Sequence, residues 1–182
     1  MSRIPVQTLE SAPEQARPTL ERLTRQTGRL LNIHAEMATT PVVLAAYAGV
    51  SDALATQSSF NARTREAIAL AVGAQDGCDY WQAAHTPTAI TSGLIQAETV
   101  AIRRGTGGSD PKLSALLAVA REAAANVGEV SNAIWSAAVQ GGWSELELSE
   151  AFAHLAVNLF THYFDHYART DLHLPAAPAL TP

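Results

Sequence analysis

Glu66, Cys78 and His85 lie within one short stretch and are of types that exchange protons or attack electrophiles. A carboxylate and an imidazole serve as acid and base near neutral pH, and a thiolate is a nucleophile. From position 77 the chain reads Gly77-Cys78-Asp79-Tyr80-Trp81-Gln82-Ala83-Ala84-His85. On a helix, positions 78, 81 and 85 are i, i+3 and i+7 and share one face. Trp81 is then one turn from each neighbour, while Cys78 and His85 are roughly 10 Å apart along the axis, too far for a direct hydrogen bond. A cysteine at a helix start is activated by free N–H groups and the macrodipole, but Asp79 next door opposes a thiolate. The plain alternative is that Cys78 is a small buried apolar side chain. Glu66 either faces inward, where it suits acid–base work, or pairs on the surface with Arg63 or Arg65. His85 either joins the same site or is a core histidine bonded to a carbonyl.

Other candidates are weaker. His162, Asp165 and His166 stand at i, i+3 and i+4, and His154 and Asn158 continue that row. Two histidines one turn apart suit zinc, but no further ligand is spaced to complete a set. No metal and no cofactor is therefore expected, and the row reads as a packing face with Tyr163, Phe164 and Tyr167. Arg103-Arg104-Gly105-Thr106-Gly107-Gly108 does not match a phosphate-binding loop and reads as an exposed flexible loop. Trp135 and Trp143 are expected to anchor the core.

The elements that position these residues read as helices. Ser11 with Glu14 fits a capping box opening a first helix, which Pro18 breaks or restarts and Gly28 ends. Thr40-Pro41 opens a second helix. Asn61 caps a third, carrying Glu66, and Asp76-Gly77 is a turn. A helix from about Cys78 to Gly93 follows, then a short one from Gln96 to Arg103, and a glycine-rich linker, Gly105 to Ser109. Asp110-Pro111, Ser131 and Ser144 with Glu147 open three more, the last running to about Arg169. Prolines 175, 178 and 182 mark a frayed tail.

The chain has 182 residues, enough for one domain. Apolar residues make up 47% and charged residues 16%, so part of the surface is expected to be covered by other subunits. A net charge of −5 gives no electrostatic reason to bind nucleic acid or an anionic membrane. No apolar stretch is long enough to span a bilayer and no signal-peptide core is evident. With a single cysteine, a reducing, cytoplasmic location is expected.

The spacing of Glu66, Cys78 and His85 resembles the signature of the alkylhydroperoxidase D-like branch of the carboxymuconolactone decarboxylase family. There, a glutamate precedes a Cys-x-x-Cys-x-x-x-His motif by twelve residues. Glu66 stands at the glutamate, Cys78 at the first cysteine and His85 at the histidine, while Trp81 takes the place of the second cysteine. Asp110 to Asn126 is similar to a second helical segment of the family, and Asn158 to His162 to its closing helix. The resemblance implies an all-α, compact, oligomeric helical bundle (trimer, hexamer or dimer). We expect one domain over 1–182, with ends frayed at about 1–9 and 174–182. It further implies peroxiredoxin-like chemistry, in which one cysteine attacks a peroxide, the other closes a disulfide, and the glutamate and histidine relay protons. With Trp81 in the second position, the most this chain could be is a single-cysteine thiol peroxidase. Cys78 would pass through a sulfenic acid reduced by an external thiol, with Glu66 and His85 as its catalytic partners and Tyr80 and Trp81 forming the pocket. Two alternatives remain open. One is a decarboxylase-like enzyme using Glu66 and His85 as acid and base on a lactone or other small organic acid. The other is a non-catalytic oligomeric binding protein.

Overall fold

In the computed structural model, described over residues 2–106 and 110–180, the chain folds into nine helices with no strand among the described residues. They are α1 (Arg17–Thr27), α2 (Asn32–Met37), α3 (Pro41–Gln57), α4 (Ala62–Gln75), α5 (Asp79–Thr91), α6 (Gln96–Arg104), α7 (Pro111–Ala125), α8 (Asn132–Gln140) and α9 (Glu145–Ala168). The all-α expectation holds. No helix of the described residues is long and apolar enough to cross a membrane.

α4 organises the bundle. Every residue from Ala67 to Gly73 is buried, because α5, α6, α7 and α9 pack around it. A helix apolar on all sides belongs inside, so polar positions on α4 are confined to its ends. Ile68, Leu70 and Val72 join Leu116, Leu117, Leu148 and Leu155 in one core cluster. A second cluster gathers Leu20, Ile33, Met37, Leu44 and Trp81 between α1, α2, α3 and α5.

Several helix starts follow the side chains that mark them. Asn61, Asp110, Ser131 and Ser144 each accept a backbone N–H at the first turn of the helix they open, and Glu147 completes a capping box. The α4–α5 turn is a Schellman closure: the Cys78 N–H donates to the Gly73 carbonyl at 2.9 Å and the Gly77 N–H to Ala74 at 3.3 Å. Gly77 has φ 66°, a conformation that glycine adopts without a Cβ penalty.

Several expectations are corrected. The Ser11 hydroxyl accepts from the Thr8 N–H and donates to Gln7, so it does not open a helix. α1 instead begins at Arg17, with Pro18 in its first turn, where a missing N–H costs nothing. Pro18 therefore starts the helix, the second of the two roles expected for it. Among the described residues, parts of the ends expected to fray make contacts with the bundle. The Arg3 N–H donates to the Ala168 carbonyl at 2.7 Å, and Arg103 and Arg104 hold the Pro178 and Leu180 carbonyls. Arg103 is buried and also donates to Gln82, so the segment expected to be a loop begins inside α6. Gly107 to Ser109 of the expected linker lie outside the described residues. Trp143 packs edge-on against Phe60 in the core, whereas Trp135 is partly exposed.

Candidate acid–base site

Glu66 sits on the second turn of α4, held inward as that helix enters the bundle. Its Oε2 meets His85 Nδ1 of α5 at 2.7 Å. Arg63, one of the surface partners considered for Glu66, is instead paired with Glu98 at 3.0 Å and Asp110 at 3.3 Å. Both Glu66 and His85 are mostly buried but retain some exposure, so they can meet a solute.

Trp81 positions the imidazole. Its ring lies against His85 with centroids 4.4 Å apart. The indole is fixed in turn: its Nε1–H donates to Asn158 Oδ1 at 2.6 Å. Asn158, on α9, donates its own amide to the His154 carbonyl at 2.7 Å. The chain of contacts from α9 through Asn158 and Trp81 to His85 sets the ring opposite Glu66.

These groups open on a cavity of about 590 Å³, large enough for a small organic molecule. Glu66, Trp81, His85, Asn158 and His154 line it, and Leu31, Ala69, Val157 and Leu174 supply apolar wall. Arg65 lies on the same wall and brings positive charge close enough to disfavour protonation of His154. Burial is the larger cause of that lowered pKa, and Glu150 opposes it. His34 of α2 also lines the cavity. It is 3% exposed, its Nε2 lies 3.4 Å from the Tyr47 hydroxyl, and burial pushes its pKa down to about 4. It is neutral at physiological pH.

Of the residues expected at the site, Glu66, Trp81 and His85 come together. Cys78 and Tyr80 do not reach the cavity. Cys78 is the residue before the first helical turn of α5, with φ −83° and ψ 93°. The one-face spacing argument holds only for residues with helical backbone, and Cys78 lies outside it. Its thiol is fully buried and lies 3.3 Å from Asp165 Oδ2. Burial, then the Asp165 charge, push the thiol well above its ordinary range. The Tyr80 hydroxyl turns instead to the Ile33 N–H, at 3.5 Å. The residues that sequence reasoning missed are His34, Tyr47 and Arg65. His154 and Asn158 were seen only as part of a helix row. The i+4 spacing of His154 and Asn158 placed them on one face, but nothing in the sequence said which helix that face meets.

The structure is similar to an alkylhydroperoxidase AhpD core, an uncharacterised peroxidase-related protein from Ralstonia eutropha JMP134. The TM-score is 0.84 at 20% identity, covering 94% of this chain and 92% of that chain. It is also similar to the debrominase Bmp8 bound to 2,3,4-tribromopyrrole (TM-score 0.79, 16% identity, 93% of this chain and 90% of that one). A third similar fold is an uncharacterised peroxidase-related protein from Silicibacter sp. TM1040 (TM-score 0.75, 15% identity, 96% and 90%). At such identities the likeness concerns the fold. Residues 41–122 match the carboxymuconolactone decarboxylase family model. No curated protein matches the chain.

Proposed function

We propose that this chain is an acid–base enzyme acting on a small organic acid or lactone, with Glu66 and His85 as its proton-transferring pair. The observation that carries this reading is the 2.7 Å Glu66–His85 contact in a cavity to which Cys78 contributes nothing. Glu66 engages Nδ1 and stabilises the imidazolium, leaving Nε2 to take a proton from a substrate C–H or return one to carbon. On a carboxylated lactone, loss of CO2 would leave a carbanion delocalised into the lactone carbonyl, and protonated His85 would return the proton to carbon. Arg65 suits the substrate carboxylate, and Trp81 and the aliphatic wall suit its carbon skeleton. The single-cysteine peroxidase reading has less support, because a buried, protonated thiol beside a carboxylate is a poor nucleophile.

The test is a screen of small carboxylated lactones, unsaturated organic acids and flat heteroaromatics, followed by nuclear magnetic resonance in deuterated water. A debrominase of this fold binds a tribromopyrrole, which is the reason to include the heteroaromatics. Deuterium incorporation at carbon or release of CO2, abolished in Glu66→Gln, is the expected result. Peroxide turnover that needs Cys78 and a thiol reductant, with no carbon chemistry, would overturn the proposal.

Self-association belongs to the same reading. Phe152, Tyr163 and Tyr167 on α9 are exposed, as are Val42, Ala45, Ala46 and Gly49 on the α3 helix packed beside it. We propose that a second copy covers this apolar face. A mass by light scattering above one chain is the expected result, and a monomer at micromolar concentration would contradict it.

A further inference from the structure

Away from the acid–base cavity, Cys78, Asp165 and His166 converge. Their ligand atoms all lie within 4.8 Å of one another. Cys78 Sγ is 3.3 Å from Asp165 Oδ2, and His166 Nε2 is 4.0 Å from the same oxygen. None of the three lines the cavity. Around a tetrahedral zinc ion, with Zn–S near 2.3 Å and Zn–N or Zn–O near 2.0 Å, ligand atoms stand roughly 3.3–3.5 Å apart. The sulfur–oxygen distance is already close to that value. His166 is about half exposed, so its side chain has room to close the remaining gap and leaves an entry path for an ion.

The surroundings call for positive charge. Asp165 is only 8% exposed, and its Oδ1 has no hydrogen-bond partner. Glu36 of α2 is 1% exposed and close enough to Asp165 for their charges to interact. One of its oxygens accepts from Thr170 at 2.5 Å, while the other, Oε1, has no partner. Buried carboxylate oxygens without donors are costly, and a divalent cation on Asp165 would offset that cost and lower the negative charge that Glu36 faces. His162, the other imidazole nearby, has its Nδ1 engaged by Asp76 at 2.6 Å.

We propose that Cys78, Asp165 and His166 form a binding site for a zinc-type divalent cation, with water as the fourth ligand. Thiolate, imidazole and carboxylate together suit zinc, whereas magnesium and calcium take oxygen ligands. As the metal–sulfur bond forms, the thiol proton passes to the buffer. In this role the chain's lone cysteine is a ligand that ties the start of α5 to the end of α9. The site is separate from the Glu66–His85 pair, so either assignment can fail without the other.

The test uses the full chain, stripped with a chelator and dialysed. Zn2+ is titrated by calorimetry, Co2+ is followed by absorption, and Mg2+ serves as the control. The expected result is one equivalent of Zn2+ per chain and a thiolate-to-cobalt charge-transfer band. Cys78→Ser should abolish the band, His166→Ala should weaken Zn2+ binding at least about tenfold, and Mg2+ should not bind. Because His166 is half exposed, its alanine variant keeps the test available if Cys78→Ser folds poorly. No stoichiometric binding at micromolar concentration would overturn the proposal. So would a cobalt complex without the thiolate band, or binding unchanged in His166→Ala.

Discussion

Trp81→Phe is expected to destabilise the fold by about 2–4 kcal/mol. Phenylalanine keeps an aromatic ring on the His85 imidazole but removes the N–H that donates to Asn158 Oδ1 at 2.6 Å. Trp81 is 6% and Asn158 4% exposed, so water cannot readily replace the lost donor. A buried acceptor left without its partner costs about 1–3 kcal/mol. The smaller ring loses a further 1 kcal/mol or so of burial and packing, on the order of one methylene. For a domain of this size each kcal/mol moves the melting midpoint by about 2–4 °C, so the fall should be roughly 4–16 °C. Calorimetry on the parent, Trp81→Phe, Asn158→Ala and the double variant gives the coupling directly, expected in the range of about 0.5–3 kcal/mol. A midpoint that falls by less than about 2 °C, or strictly additive single changes, would refute the view that Asn158 fixes the indole behind His85.

Other outcomes follow from the same geometry. Stability should fall between about pH 6.5 and pH 4, because the folded state holds His34 down to about 4. The stabilisation is complete above the ordinary histidine value and is lost as pH drops through that window, by about 3 kcal/mol at most. His154 and His162 are lowered too and act in the same direction. Urea midpoints against pH should show the slope, and a slope unchanged in His34→Phe would contradict its assignment to that residue. In the native protein Cys78 should react with iodoacetamide only at the rate of global or local opening, and prompt stoichiometric alkylation would show the thiol to be accessible. Trp81→Cys should gain peroxide reduction with an external thiol that Trp81→Ser lacks, because a thiol at position 81 would lie against His85, where Cys78 does not reach. Equal activity of the two variants would show that position 81 is not within reach of the proton-transferring pair.

Much of the helix layout was legible from short-range chemistry. Asn61, Asp110, Ser131 and Ser144 cap helices because each places an oxygen on a free N–H within three residues, and no distant partner is involved. α2 escaped notice because it is six residues long and no side chain caps it. Its burial against α3 and α9 is a tertiary effect. The Glu66–His85 pair was legible as two residues suited to one site, but their 2.7 Å meeting depends on the packing of α4 against α5. Cys78 was the hardest residue to read. Its spacing suggested a shared face with Trp81 and His85, yet its non-helical backbone turns it off that face. The Asp165 carboxylate that meets its thiol comes from 87 positions further along the chain.

The central claim is that proton transfer by Glu66 and His85, and not thiol chemistry at Cys78, is what this site performs. It is tested most directly by measuring turnover of the first substrate found in the deuterium screen, with the parent, Cys78→Ser and Glu66→Gln side by side and all stripped of metal. The account predicts that Cys78→Ser keeps a rate close to the parent's, while Glu66→Gln loses about 100-fold or more, the scale of a positioned acid–base group. Loss of turnover in Cys78→Ser with Glu66→Gln unimpaired would contradict it.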